Sequence, residues 1–289
     1  MTNTYLSTPL MWNHSIEEIF RTAKEQRMGL EIFHQQMDYH GVAIEELQRL
    51  IVAYELEVFV HAYSWDLNLC ALQESVRAVS VLETKKSIAF AHALGAKDVT
   101  IHPGRLSIGL EETVHDGYMH ASMKELMAYA DERNQPISFE IMEPVGKEFI
   151  TDRHVLERVA GDLWERMYVT LDVAHCRDEE MVLDHLNKLP RIRKLHLSNR
   201  TERQYHTPLG EGVLDFGKLS PDILASGLPI VIEGMDLGLE RKVLKKNLTY
   251  LKEEFFDEME QMDFCRNVSF DFSGLRYSRH NGIGRGFRD

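Results

Sequence analysis

The sequence predicts an α/β protein with the (β/α)8 barrel fold, formed by a single domain and followed by a C-terminal extension. Short apolar runs rich in Val, Ile and Phe alternate eight times with helical patterns, and the connections between them are short. This alternation is typical of parallel strands that are buried on both faces. Several runs also end on an acidic residue or a histidine, as in ISFEIM, VTLDVAH and PIVIEGM. A doubly wound open sheet would alternate too, but no glycine-rich fingerprint follows the first run.

The eight apolar runs are predicted to be the barrel strands, because they are short, enriched in β-branched residues and followed by polar sequence. They cover residues 5–10, 29–33, 58–63, 98–102, 137–142, 168–173, 192–197 and 229–233.

Helical patterns fill the intervals between these strands. Ser15 and Glu18 form a capping box ahead of the first helix, IFRTAKEQRM, and Gly95 is placed to end the third helix. The other helical segments cover residues 42–57, 69–94, 111–132, 153–164, 179–189, 219–225 and 239–255.

The barrel is predicted to occupy residues 1–255, and residues 256–289 form the C-terminal extension. Residues 253–263 are acidic and are expected to prolong the last helix. The tail beyond them is expected to be a partly ordered terminal segment. The alternative is a lid or an oligomer contact that brings Arg276, Arg279 or Arg285 near an anionic substrate.

Composition narrows the classes of partner. The net charge of −13 disfavours nucleic acid, which proteins bind largely by neutralising phosphates with Lys and Arg. No uncharged apolar stretch is long enough to predict a membrane helix, and the N-terminus lacks the basic leader of a signal peptide. The three cysteines form no disulfide pattern. We therefore expect a cytoplasmic protein that acts on a small molecule and that could form a homo-oligomer.

Four potential metal ligands close consecutive predicted strands, the fifth to the eighth. They are Glu140, Asp172, His196 and Glu233. In a barrel of parallel strands the carboxyl ends meet at one face, so these side chains are expected to converge. Three carboxylates and one imidazole form a hard, oxygen-rich site that suits Mn²⁺, Mg²⁺ or Zn²⁺. We expect one divalent ion there. A buried ion pair is the alternative explanation for the two glutamates.

Two stretches resemble the xylose isomerase-like TIM barrel superfamily, and the resemblance runs over roughly residues 1–255. The stretches are LDVAHC, and KLHLSNRTERQYHTPLGEGVLDF followed by LPIVIEG. The superfamily shows a strand ending in Asp-x-x-His, a strand ending in His, a Gly-x-Gly turn before an apolar-Asp-Phe helix start, and a last strand ending in Glu. The matching residues here are Asp172 with His175, His196, Gly210 to Gly212, Leu214 to Phe216, and Glu233. The superfamily contains sugar and sugar-phosphate isomerases and epimerases, and also the endonuclease IV-type enzymes.

The isomerase and epimerase branch implies one metal ion and a pair of catalytic carboxylates. By resemblance, Glu140 and Glu233 would move a carbon-bound proton through an enediolate, while the ion polarises the neighbouring carbonyl. His175 and an arginine after His196, either Arg200 or Arg203, would hold substrate oxygens. We take this as the leading hypothesis, for a sugar, a sugar phosphate or a related polyol.

The endonuclease IV branch implies two or three metal ions and phosphodiester hydrolysis. Its additional ligands match His61, His102, His175 and His206 in this chain. The sequence departs from that branch at Gln204, where the branch has an aspartate, and a neutral amide is a poor ligand for a third dication. A strand histidine such as His61 or His102 is also often a hydrogen-bonded core residue. A metal-dependent lyase or dehydratase and a barrel that binds without turnover are further alternatives.

Aromatic and acidic residues near the strand ends are weaker candidates. Trp12 and Trp65 follow the first and third strands, so either could wall a sugar-binding mouth, although packing is the commoner use of Trp. Glu31 lies within the second strand and could be a buried partner for a basic group. Glu143 follows the fifth strand and is a candidate for the mouth.

Overall fold

The protein is an eight-stranded closed parallel barrel in the computed structural model, which describes residues 3–107, 111 and 113–255. Each strand pairs in parallel with the next along the chain, and the first pairs with the last. The strands are β1 Thr4–Ser7, β2 Gly29–Phe33, β3 Val58–His61, β4 Val99–Ile101, β5 Ile137–Glu140, β6 Tyr168–Asp172, β7 Ile192–Leu197 and β8 Ile230–Ile232. The predicted (β/α)8 barrel is therefore confirmed.

Helices surround the barrel and follow the strands in sequence. They are α1 Ile16–Glu25, α2 His34–Tyr39, α3 Ile44–Tyr54, α4 Glu74–Leu94, α5 Thr113–Asp131, α6 Arg153–Ala160, α7 Glu179–Lys188, α8 Phe216–Ala225 and α9 Lys242–Tyr250. Short 3-10 turns cover Thr8–Met11 and Gly161–Leu163, and a π turn covers Leu251–Phe255. The capping box is present, because the Ser15 hydroxyl accepts a hydrogen bond from the Glu18 backbone N–H. Gly95 ends α4 in the left-handed conformation.

Most predicted boundaries differ from the structure by a few residues, and one helix was missed. The first strand ends at Ser7 instead of residue 10, because a 3-10 turn begins at Thr8 and its second residue, Pro9, cannot donate to a strand ladder. Helix α4 begins at Glu74 instead of residue 69. Helix α2 was not expected, since six residues carry no helical period. The extension at residues 256–289, with Arg276, Arg279 and Arg285, lies outside the described residues.

The strands present two different surfaces. Their outward apolar side chains, such as Val60, Ile101 and Leu195, pack with the helices in one large core. Inside the barrel, Tyr5, Phe59 and Val231 form a separate apolar cluster. Above that cluster the interior is polar, with buried charged and hydroxyl side chains from several strands. The barrel axis therefore carries a buried polar layer that leads to the carboxyl ends of the strands.

Among the helices that the structure describes, none combines the length and the apolar character that crossing a membrane requires.

Candidate metal centre

The four predicted ligands lie together at the carboxyl end of the barrel. Glu140 and Asp172 are the last residues of β5 and β6, His196 lies near the end of β7, and Glu233 directly follows β8. One ligand atom from each lies within 4.8 Å of those of the others. The register explains this proximity, since Asp172 is paired directly with His196 across β6 and β7.

Several atoms of this four-ligand group are buried and complete no hydrogen bond with the described residues. They are Glu140 Oε2, Asp172 Oδ2, His196 Nδ1 and Glu233 Oε2. His196 Nδ1 lies 2.8 Å from Glu233 Oε2 and 3.5 Å from Glu140 Oε1. Burying such polar atoms without a completed hydrogen bond is unfavourable, and a divalent cation bound among them would be a partner for all four. The donor set therefore fits a hard divalent ion such as Mn²⁺, Mg²⁺ or Zn²⁺.

Opposite charges hold the two glutamates in the ionised form. Burial would raise the pKa of Glu140, but His102 and His196 lower it well below its usual value. Burial would likewise raise the pKa of Glu233, and His196 is the main cause of its lowering. Burial would lower the pKa of His196, yet Glu31 and Glu233 raise it well above the usual value. Without a cation, the imidazole is therefore the positive charge that balances these carboxylates.

The pKa values of Asp172 and His175 are both raised, which favours their protonated forms. Burial raises the pKa of Asp172 well above its usual value, with a further contribution from Glu233 and Glu140. Burial would lower the pKa of His175, but Asp172, Glu140 and Glu143 raise it to about 9. Metal ligands must be deprotonated, so cation binding at this group is expected to release protons.

A second group of potential ligands consists of His61, His102 and Glu140. His61 Nε2 lies 3.1 Å from His102 Nε2 and 3.7 Å from Glu140 Oε2. His61 Nδ1 is 2.9 Å from the Ala62 carbonyl oxygen, so this nitrogen carries the proton and Nε2 is left as an acceptor. Phe33 stacks on the His61 ring with centroids 4.1 Å apart. His61 and His102, at the ends of β3 and β4, thus face the same mouth of the barrel as the four-ligand group.

A third group consists of Asp172, His175 and His206. His175 Nδ1 donates to the Ile141 carbonyl oxygen over 2.8 Å, which leaves Nε2 buried and without a hydrogen bond to the described residues. That Nε2 lies 3.4 Å from Glu143 Oε2 and 3.6 Å from Asp172 Oδ2. Gln204, by contrast, is exposed on the loop after β7.

The loop that carries His206 folds around Asn199. The Asn199 amide donates to the carbonyl oxygens of Leu209 and Leu214, and its oxygen accepts from the Leu214 N–H. A Cβ at Gly212 would lie 2.1 Å from that oxygen, which explains the second glycine of the Gly-x-Gly turn. His206 itself has a positive φ of 56° and bonds to Ser198.

The Arg200 side chain is hydrogen-bonded to backbone carbonyl oxygens. Its Nε donates to the Cys176 carbonyl oxygen over 3.0 Å, and its Nη2 donates to the Arg177 carbonyl oxygen. These contacts join the loops after β6 and β7, so a role in substrate binding stays a prediction. The arginine that lines the cleft is Arg105, which sequence reasoning missed and which is bonded to Glu148 over 2.8 Å.

The three groups open into a cleft of about 190 Å³. Its walls are Ser64, Trp65, His102, Arg105, Glu140, Met142, Glu143, His175, His206 and Glu233. Trp65 is half exposed and stacks on the buried Trp12, with centroids 5.4 Å apart. A larger cavity of about 420 Å³ lies between Phe59, Tyr168 and Pro229 at the amino end of the barrel. It contains none of the potential ligands, so the chemistry is assigned to the smaller cleft.

Charged side chains are buried beneath the site, and the sequence analysis anticipated only one of them, Glu31. Glu31 does have a basic partner, because its Oε2 lies 3.1 Å from His196 Nε2. Sequence reasoning missed the pair of Asp98 and Lys194, whose charged atoms are 2.6 Å apart with both side chains fully buried. The available signal was the polar residue at alternate positions of apolar strands, as in Lys194 and His196 of β7.

Known proteins of similar sequence or structure support the barrel architecture. The uncharacterized protein MJ1188 of Methanocaldococcus jannaschii is 25% identical to this chain over 278 residues. The alignment covers 91% of this chain and 98% of MJ1188. The crystal structure of a D-tagatose 3-epimerase-like protein superposes with a TM-score of 0.74 at 20% identity, covering 90% of this chain and 99% of that one. The IOLI protein, in a crystal structure with a zinc atom, gives a TM-score of 0.71 at 12% identity, covering 88% and 98%.

The family follows from a match that spans most of the barrel. The family model described as the xylose isomerase-like TIM barrel matches residues 21–255, which include all four members of the four-ligand group. The chain therefore belongs to the xylose isomerase-like TIM barrel family.

Proposed function

We propose that the protein is a divalent-metal-dependent isomerase or epimerase of an uncharged sugar or related polyol. The observation that carries this proposal is the four-ligand group, whose buried acceptor atoms complete no hydrogen bond with the described residues and lie within 4.8 Å of one another. The similarity to a D-tagatose 3-epimerase-like protein and to a zinc-containing structure supports it.

Glu140 and Glu233 are proposed to move the proton. Both are ionised at neutral pH, because their pKa values are lowered despite burial. Both lie beside His196, 3.5 Å and 2.8 Å from its Nδ1. One would take a proton from a carbon beside the substrate carbonyl, and the other would return it to the resulting enediolate. A bound divalent ion would supply the polarisation that makes this carbon-bound proton acidic.

The charge of the cleft favours a substrate without a phosphate group. Three carboxylates line it, those of Glu140, Glu143 and Glu233. The lining arginine, Arg105, already pairs with Glu148. Phosphate recognition relies on arginine or lysine that is free to bind it. The half-exposed ring of Trp65, backed by Trp12, offers an apolar face of the kind that packs against a sugar ring.

The test is exchange of carbon-bound hydrogen with solvent. Protein loaded with Mn²⁺, Co²⁺ or Zn²⁺ would be incubated with a panel of ketopentoses and ketohexoses in D₂O and followed by NMR. We expect deuterium beside the carbonyl and formation of an epimer or isomer. Glu140→Gln and Glu233→Gln should abolish both, whereas Glu240→Gln, an exposed residue outside the cleft, should retain them. Metal-loaded protein that exchanges no sugar in the panel would contradict the proposal.

A hydrolase of phosphodiesters is the second candidate. It is favoured by the distance of 3.1 Å between His61 Nε2 and His102 Nε2, since two such nitrogens beside Glu140 could hold a further ion. Its test is cleavage of a duplex with an abasic site, at several salt concentrations, by protein whose metal content has been counted. Two or three ions per chain with salt-sensitive cleavage would favour the hydrolase. One ion without cleavage would favour the isomerase.

A further inference from the structure

We infer that Glu31 is a positioning residue for His196: held inside the barrel by Thr100 and Lys194, it fixes the tautomer and ring orientation that direct Nδ1 into the four-ligand group. This inference rests on the proposed metal-dependent function. It concerns a side chain that lies below the ligands and does not line the cleft.

The contacts of His196 determine which nitrogen carries the proton. Nε2 lies 3.1 Å and 3.3 Å from the two carboxylate oxygens of Glu31. A carboxylate is an acceptor, so Nε2 must donate to it. When the ring is neutral, Nδ1 then carries a lone pair, and this nitrogen faces Glu233 and Glu140. A histidine bound to a metal commonly donates its other N–H to a carboxylate in this way, which orients the ring and makes it a stronger ligand.

Glu31 is itself held from two directions. The Thr100 hydroxyl donates to Glu31 Oε1 over 3.1 Å, and Lys194 Nζ lies 3.6 Å from the same oxygen. Lys194 and His196 are two residues apart on β7, so both point to the inside of the barrel. One strand therefore supplies both the ligand and the cation that keeps the ligand's partner in place.

The charges of the buried layer are close to balance. Lys194 contacts Asp98 at 2.6 Å, and Asp98 also accepts from the Ser138 hydroxyl over 2.6 Å. This pair is neutral without Glu31. Neutralising Glu31 therefore leaves Lys194 with a partner, and the barrel is expected to fold. The substitution Glu31→Gln can thus separate the charge of residue 31 from the integrity of the fold.

The experiment compares three variants of the full chain. Glu31→Gln keeps an acceptor at nearly the same place but removes the charge, and Glu31→Leu removes both. The control is Gln135→Leu, because Gln135 is also a buried polar residue but bonds to the carbonyl oxygens of Ala96 and Pro136 at the other end of the barrel. The probe is Co²⁺ alone. The readouts are its dissociation constant, its visible absorption spectrum and the thermal melting of the metal-free protein.

We expect Glu31→Gln to weaken Co²⁺ binding by about 10- to 100-fold, as for other partners of metal-bound histidines, and Glu31→Leu to weaken it further. Both should alter the cobalt absorption bands, while Gln135→Leu should bind Co²⁺ like the wild type. Wild-type affinity and spectrum in Glu31→Leu would overturn the inference and leave the proposed function standing. A wild-type protein that binds no Co²⁺, Mn²⁺ or Zn²⁺ would overturn both.

Discussion

At the scale of single residues, the protonation of the ligands controls what the site can bind. His175 has a pKa raised to about 9, and the pKa of Asp172 is raised as well. His175 therefore tends to keep a proton near neutral pH when no cation is present, and Asp172 is harder to ionise than an ordinary aspartate. Glu140 and Glu233 show the opposite shift. The group is thus a set of acids and bases in which a bound cation would compete with protons for the same atoms.

The metal-free protein should lose stability as the pH rises from about 7 to 9. A histidine with a raised pKa stabilises the fold fully below its unfolded value of 6.5, and this contribution is lost as the pH rises through 9. The raised pKa values of His196 and Asp172 act in the same direction. The lowered pKa values of the two glutamates instead remove stability below about pH 4.5.

Melting temperatures of the metal-free protein, measured in the presence of EDTA, should therefore be highest between about pH 4.5 and pH 7. His175→Gln should flatten the alkaline decline, and an unchanged decline would contradict this assignment.

His61 and His196 should differ in their effect on metal content. His196 belongs to the four-ligand group, whereas His61 belongs to the group with His102. For a protein that holds one ion, His196→Gln should strip the metal and His61→Gln should leave the content unchanged. The measurement is metal per chain by mass spectrometry after purification without chelators. A loss of half or more of the metal in His61→Gln would show that a second ion is bound there.

At the scale of elements, β7 combines two functions in one alternating pattern. Leu195 and Leu197 pack outward in the main core, while Lys194 and His196 point inward. A fully buried lysine is tolerated only with partners, and Asp98 on the loop before β4 supplies one at 2.6 Å. The strand is therefore tied to its neighbours by charge as well as by its backbone ladder.

Replacing Lys194 with Met should destabilise the metal-free protein by about 3–5 kcal/mol, because Asp98 and Glu31 then lose their buried cation. Adding Asp98→Asn removes one of the two buried carboxylates that lost this cation, so the double variant should regain much of the loss. The free energy of unfolding in guanidinium chloride is the measurement. A double variant as unstable as Lys194→Met alone would mean that the lysine acts through packing instead of charge.

The elements were predictable where local sequence determines them. The strands at residues 29–33 and 192–197 were predicted with their observed bounds, because each ends on an apolar residue directly before a polar one, His34 or Ser198. The four-ligand group was also placed at the strand ends by its position in each run. The pair of Asp98 and Lys194 could not be predicted, since the residues are far apart in sequence and meet only when the barrel closes. The hydrogen bond from Arg200 to a loop carbonyl oxygen could not be predicted either, because it depends on how the loops pack.

At the scale of the whole molecule, acidity limits the partners. The chain carries a net charge of −13, and three of its carboxylates line the cleft at the mouth of the barrel. A polyanion would approach against this field unless several ions were already bound. The same field attracts divalent cations and is indifferent to an uncharged polyol. The overall charge and the lining of the cleft therefore favour the same class of substrate.

The closed order of the strands has a kinetic consequence. The four-ligand group is drawn from β5 to β8, so its members meet only after the second half of the chain has assembled, and β8 must also reach β1 to complete the ring. A cation can then bind tightly only to the finished structure. It should slow unfolding strongly and change the refolding rate little, as expected for contacts that form after the transition state. Stopped-flow traces with and without Mn²⁺ would measure both rates. Faster refolding with the ion would mean that the ligands gather early. If the refolding rate is unchanged, the barrel is a structure that a metal locks after assembly and does not help to build.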